Sequence, residues 1–542
     1  MKTNYRRGLK RIVRRTDHSP TMVRIFICII LCLEPLTAQS APGDYDIVVY
    51  GDSSAAVTAA ISAKRDGRDV VLVNPTRFLG GMSASGLGAT DFGGANLNIV
   101  RGIASEFYKG VASQYGRDFI RSFEPHVGQQ VFRRMTEEAG IEVHYNEFLD
   151  RENGVTMDGN RILSITTLSG KTYRAKMFID ATYVGDLMAA AGVSYTVGRE
   201  SKSQYGESIA GVRRGDTSPR IHYTQKDKDH FVVDVDPYVV AGDPESGLLP
   251  LVQDLNLVNG TGDHKIQAYN YRMCLTSNPD NRIPIEKPAT YRAIDHELLI
   301  RNFEAGDDRF PALIENLGGR DDKVDWNSMH AIGNDFGGAN WDYPEATYQR
   351  RREIEEAHKE YTRGFLWTLG NNPRIPEKIR TYAAKWGLPK DEFTDNDHWP
   401  YMIYIREARR MISDYVMTQA NCEHKTIAED PVTLAVFGMD SHVVQYFVNE
   451  RGFVRRDGVI WQVPPSPYGV SYRSIVPKAE ECENLLVPVC LSASHVAHGS
   501  IRMEPVFMGL GEAAAAAAGL AIENDQSVQG IDYAKLKERT GI

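Results

Sequence analysis

A chain of 542 residues with 42% hydrophobic and 25% charged side chains has ordinary globular composition and room for more than one structural unit. Its formal net charge is −9, and residues 1–41 alone carry eight Lys/Arg against two Asp/Glu, so the rest is more acidic still. That argues against nucleic-acid binding, which needs a basic stripe, and no such stripe follows residue 41.

The basic side chains at the start all fall within residues 2–24, and the apolar run Ile25–Leu33 follows, then the small residues Ala38, Ser40 and Ala41. The run is short for a bilayer span, so residues 1–41 read as a signal peptide. Export to the periplasm or the exterior is expected, with no stable membrane insertion after cleavage. An uncleaved anchor is the alternative, and Arg6-Arg7 is a faint twin-arginine signature. Of six Cys, four lie beyond this segment and none stands in Cys-x-x-Cys spacing. With no His-Glu-x-x-His or comparable spacing either, no metal site is expected.

Tyr45–Gly51 is a short β-branched run closed by Gly, which predicts a buried parallel strand. Ala55–Arg65 has helical spacing, and Asp69–Asn74 is a second buried strand stopped by Pro75. Together they make one βαβ unit. A Gly-rich loop spans residues 80–88, and helices are predicted over 103–115 and 127–140. Strand-like pieces at Glu142–Leu149, Arg161–Leu168 and Lys171–Tyr173 are punctuated by Asn-Gly, Asp-Gly and Ser-Gly turns, and Lys176–Ala181 returns as a buried strand. Residues 191–475 hold most of the aromatics, with helices expected at 345–362 and 400–417. After them come a strand from Leu485, a loop over Ser492–Ser500 and an Ala-rich helix over Pro505–Ile522. The expected fold is α/β: a Rossmann-like domain with a parallel sheet and a β-meander insert (42–190, completed by 476–530), split by a mixed α+β substrate or cap domain (191–475).

A strand–Gly–helix turn presents free N–H groups and a positive helix end to a pyrophosphate. The fingerprint Gly-x-Gly-x-x-Gly with a later acid is only partly kept: its positions hold Gly51, Ser53 and Ala56, and the acid position holds Asn74. Asn74 with Arg77 nearby equally suits a 2′-phosphate, so these residues leave the dinucleotide open.

The stretches Tyr45–Ala60, Pro75–Gly93, Phe178–Arg199 and Tyr472–Met508 carry a resemblance. The last includes Ser494-His495-Val496-Ala497-His498-Gly499-Ser500-Ile501-Arg502-Met503-Glu504-Pro505. On them the chain resembles the secreted bacterial FAD-dependent oxidoreductases with a glutathione-reductase-type FAD-binding domain, over nearly all of the sequence after residue 41. The resemblance implies that Gly51, Ser53, Ser54, Ala55 and Ala56 face the FAD pyrophosphate and Asn74 the adenosine ribose. Gly80, Gly81 and Met82 would wrap the pyrophosphate. Asp180, Ala181 and Asp186 would sit on the returning strand and its loop, and Ser500 and Glu504 near the isoalloxazine. The family usually has Gly-Gly-Thr-Pro-Ala-Gly where this chain has Gly51-Asp52-Ser53-Ser54-Ala55-Ala56, and Glu at position 74.

Flavin chemistry on a hydroxyl substrate needs a base for the proton. His495 and His498 are candidates beside the expected flavin position, Arg502 for charge stabilisation, and His442 for a pair with Asp440. Structural roles are the alternative for each: a loop hydrogen bond for the histidines, a salt bridge to Glu504 for Arg502. The expected activity is hydride transfer from a small polar substrate, of carbohydrate kind, to flavin. Two other readings stay open: a non-redox lyase or hydrolase on a flavin fold, and a glycan-binding protein whose nucleotide site has decayed.

Overall fold

In the computed structural model the described residues are 44–90, 97–215 and 230–541, so residues 1–41, read above as a signal peptide, lie outside them. The chain opens as β1 (Asp44–Tyr50), α1 (Ser54–Arg65) and β2 (Val70–Val73). β1 and β2 pair in parallel, Ile47 opposite Val70 through Tyr50 opposite Val73. Ile47, Val48 and Val49 are fully buried, as an interior parallel strand covered on both faces must be.

Next come α2 (Gly102–Gln114), α3 (Pro125–Glu138) and β3 (Glu142–His144), which adds to β2 in parallel. The meander is β4 (Val155–Asp158), β5 (Arg161–Thr166) and β6 (Thr172–Asp180), antiparallel until β6 runs beside β1 in parallel from Arg174 to Asp180. The sheet order is β3-β2-β1-β6-β5-β4. β6 is long enough to serve two partners on its far side. Its first half pairs with β5, and Phe178–Ile179 pair with Leu485–Leu486, three hundred residues later. The carboxyl ends of β1, β2 and β6 therefore share one edge, the position at which open α/β sheets bind ligands.

The Ala-rich helix spans Glu504–Glu523 and packs along α1. Small residues set the spacing: a Cβ on Gly511 would press into the Ala55 carbonyl, and Thr58 Oγ1 donates to the Met508 carbonyl (2.8 Å). Among the described residues this is the helix apolar and long enough to cross a membrane, but its apolar window is 83% buried inside the protein. The middle of the chain builds a separate five-stranded antiparallel sheet from strands between Met273 and Pro389, and holds the 24-residue helix Tyr348–Asn371.

Two sequence expectations are corrected. Residues 400–417 are not a helix. They run extended through the interior, bridging Tyr404 to Asn270, Arg410–Met411 to Tyr195–Thr196 and Met417 to Ala493. Arg406, Glu407, Arg409 and Arg410 are each at most 5% exposed and find partners on several sides, which a helix with one solvent face would not offer. Residues 492–500 are not all loop. Ser494 caps a helix over His495–Ile501 by accepting from the Ala497 N–H (3.1 Å).

Candidate functional site

The turn after β1 is held against β6. A Cβ on Gly51 would overlap the Ala181 carbonyl, so the approach requires glycine. Ala181 donates its N–H to Tyr50 and accepts the Ser53 hydroxyl (2.6 Å). Ser53 is thus turned away from α1, whose N-terminus has no side-chain cap. Gly80 and Gly81 have φ of +93° and +56°, and a Cβ on Gly81 would come within 2.9 Å of the Ser53 Cα. Two backbone turns and an uncapped helix end therefore converge, the arrangement that stabilises a phosphate. Replacing Gly51 by Ala is expected to cost about 1–3 kcal/mol, because a carbonyl fixed in the sheet cannot move aside. A fall in the urea midpoint checks this.

A cavity of about 260 Å³ opens at the carboxyl ends of β1, β2 and β6, with Asp52, Thr76, Tyr183 and Asp186 in its wall. Asn74 does not turn toward a ligand. It is 1% exposed, its Nδ2 donates to the Phe78 carbonyl (2.7 Å), and its Oδ1 accepts from the Thr76 N–H (2.8 Å) and hydroxyl (2.9 Å). Asp180 is likewise engaged. Its oxygens accept from the Thr182 N–H (3.0 Å) and hydroxyl (2.7 Å) and from the Met188 N–H (2.8 Å), and burial raises it to about 6. Asp186, the first residue of α4 (Asp186–Ala190), meets three guanidiniums. Burial would raise it, but Arg351, Arg409 and Arg151 hold it down at about 2.

Tyr183, which the sequence reading passed over, ties three segments together. Its hydroxyl accepts the Met82 N–H (3.0 Å) and donates to Glu504 (2.8 Å), which also receives Ser83 Oγ (3.4 Å). Burial lifts Glu504 to about 7, and the hydroxyls of Ser54, Tyr183 and Ser83 offset only part of that. Ser500 is engaged elsewhere, donating to the Phe437 carbonyl and accepting from Tyr468 (2.8 Å).

His495, His498 and Arg502 recur at i, i+3 and i+7 and share a helical face. His495 Nδ1 lies 2.8 Å from Glu407, while its Nε2 is enclosed without a hydrogen bond. Burial would raise Glu407, but His495 and Arg410 hold it at about 2. His498 is pushed down to about 3 by burial and by Arg410 and Arg502, so it stays neutral, and its Nδ1 is unbonded. Arg502 pairs with Asp440 (2.8 Å) and donates to the Tyr404 hydroxyl (2.9 Å); its partner is not Glu504. His442 has two carboxylates. Asp335 is the nearer, at 2.7 Å from Nδ1, and Asp440 lies 3.4 Å from Nε2. Burial would raise Asp335 too, but Arg406, His442 and Arg456 keep it well below the carboxylate range. Arg406, Arg502 and Arg272 stand 4.8, 5.8 and 5.9 Å from the Tyr404 ring.

This region leaves polar atoms unanswered. Gln267 Nε2, both Asn270 amide atoms, Arg406 Nε, His495 Nε2, His498 Nδ1 and Arg502 Nε are enclosed without hydrogen bonds. They belong to one neighbourhood: Asn270 bridges Tyr404, Arg406 donates to the Ala268 carbonyl, and Gln267 N–H donates to Glu407. Each unsatisfied group costs about 1–3 kcal/mol. A ring with donors and acceptors along one edge, as isoalloxazine has, fits such a set. Elsewhere, Glu124, His126 and Glu392 cluster as metal ligands do, but Lys323 Nζ lies 3.0 Å from Glu124 and 2.7 Å from Glu392, so an ammonium already fills the cation's place.

A parallel sheet with a tight Gly turn after its first strand, a second Gly loop and a buried cluster of unbonded polar atoms fits a dinucleotide-binding flavoprotein. The chain belongs to the FAD dependent oxidoreductase family, whose profile matches residues 46–539. No curated protein matches it in sequence. Similar solved structures include a 3-ketosteroid-Δ4-(5α)-dehydrogenase from Rhodococcus jostii RHA1, at 16% identity over 29% of this chain and 50% of that one (TM-score 0.20). Another is a flavoprotein/dehydrogenase from Cytophaga hutchinsonii, at 15% over 29% and 44% (TM-score 0.22). A third is the thioredoxin reductase of T. acidophilum, at 21% over 25% and 34% (TM-score 0.17). Each match spans half or less of the other chain.

Proposed function

We propose that the protein is exported and oxidises a hydroxyl-bearing carbon of a small polar substrate of carbohydrate character. The observation that carries this is the His495–Glu407 pair, one ring nitrogen held by an ionised carboxylate and the other unbonded. Gly51 to Ala56 and Gly80 to Met82 would hold the pyrophosphate, and Gln267 Nε2, the Asn270 amide and Arg406 Nε the flavin edge. Bound FAD supplies the two-electron acceptor. His495 Nε2 takes the hydroxyl proton, and Glu407 fixes the ring and stabilises the imidazolium. Arg502, held by Asp440 and on the same helical face, supplies positive charge for the substrate oxygen. His498 stays uncharged beside it and does not compete for the proton. Export is supported by the basic segment and apolar run of residues 1–33.

Anaerobic incubation of the FAD-loaded enzyme with a panel of sugars and sugar acids is the test. Bleaching of the visible flavin band by at least one member is expected. No bleaching by any member overturns the substrate class.

A further inference from the structure

Dinucleotide folds recognise the adenosine ribose with an acid at the end of the second strand, which accepts the ribose hydroxyls. Here that position is Asn74, and its amide is fully engaged in its own turn. The cavity beside it has three carboxylates in its wall, Asp52, Asp186 and Glu355. Asp186 is taken by three guanidiniums, and Glu355 accepts the Tyr343 hydroxyl (2.6 Å). Asp52 has no ion pair among the described residues, and its Oδ1 is enclosed without a hydrogen bond. Asp52 shares the cavity wall with Pro75 and Thr76, the two residues that follow Asn74.

We propose that Asp52, in the turn after β1, accepts the adenosine ribose hydroxyls of FAD in place of an acid at the end of β2. The surroundings suit hydroxyl donors and repel acceptors. Burial, with the carboxylates of Asp186 and Asp180 facing it, pushes Asp52 up to about 7, and the N–H groups of Asp52 and Tyr183 offset only part of this. A cis-diol brings two O–H donors to such a group. The proposal rests on FAD occupying the crevice at the ends of β1, β2 and β6.

The test uses cofactor-free full-length protein and the quenching of flavin fluorescence on uptake. The probes are FAD and its analogue lacking the adenosine 2′-hydroxyl. A hydrogen bond is worth about 0.5–1.5 kcal/mol, so wild type should prefer FAD by about 2- to 13-fold. Asp52→Ala should weaken FAD by a similar factor and erase the preference, whereas Asn74→Ala should keep it. Because Asp52 has no ion pair to lose, Asp52→Ala should leave the unfolding midpoint near that of wild type, so weak uptake will not reflect misfolding. Retention of the full preference by Asp52→Ala, its loss in Asn74→Ala, or equal uptake of both probes by wild type each overturns the proposal alone. A wild type that takes up neither probe overturns the cofactor crevice and the proposal with it.

Discussion

Replacing His495 by Asn slows reduction of the bound flavin by substrate about 10²- to 10⁴-fold, the range a positioned general base supplies. The ring is 1% exposed and is oriented by Glu407, so no water or neighbouring side chain is placed to take over the proton. His498 cannot substitute: burial and two arginines push it down to about 3, and a nitrogen that weak captures little of an alcohol proton in the transition state. His442 is the internal control. Both of its nitrogens face carboxylates, so His442→Asn should disturb the Asp335–Arg406 and Asp440–Arg502 pairs rather than remove a free base. Its effect on the reduction step should be smaller than that of His495→Asn. Glu407 is held at about 2 and is ionised throughout the working range. Glu407→Gln should therefore slow reduction, because it removes the charge that orients the ring and stabilises the imidazolium. Stopped-flow reduction under anaerobic conditions, with flavin content per chain measured alongside, reads all three variants. Equal rates for wild type and His495→Asn would remove His495 from the chemistry.

What the sequence disclosed follows the reach of its signals. β1, α1 and β2 were legible because a buried strand, a closing Gly and an Ala-rich helical period are local, and they survive unchanged in the fold. The triplet His495, His498 and Arg502 was visible because its members are close in sequence. Their partners were not: Glu407 is 88 residues from His495, Asp335 is 107 from His442, and Tyr183 is 321 from Glu504. Arg406-Glu407 is a charged pair inside an apolar stretch, and residues 400–417 read as a helix. Tertiary ion pairs prevailed over propensity, and the segment runs extended. Asn74 shows a different limit. The sequence placed Asn74 at the end of the second strand of the βαβ unit, but the turn Thr76–Phe78 claims its amide, and only coordinates reveal such local competition.

Replacing Asp186 by Asn costs about 3–5 kcal/mol of stability, the usual penalty for removing one partner of a buried charge network. Arg351 holds Asp186 with two bonds (2.6 and 2.9 Å), Arg409 with one (2.9 Å) and Arg151 at 3.3 Å. Arg351 and Arg409 are each 5% exposed, so the amide would leave two guanidiniums facing one another out of water. Arg351→Met should cost less, because Asp186 keeps two cations and a flexible apolar chain fills the space. The pH dependence has a definite sign. Asp186 is depressed from 3.8 to about 2, so it contributes stability above about pH 4 that is lost as pH falls through 2, about 2 kcal/mol in all. Urea unfolding of the cofactor-free protein at pH 7 and at low pH should show that acid-side loss in wild type and its reduction in Asp186→Asn. An Asn variant within about 1 kcal/mol of wild type at pH 7 would mean that Arg351 and Arg409 find water or another anion. With FAD added, a selective recovery of Asp186→Asn would identify the cofactor phosphate as that anion, since Arg351 shares the cavity wall with Asp52 and Tyr183.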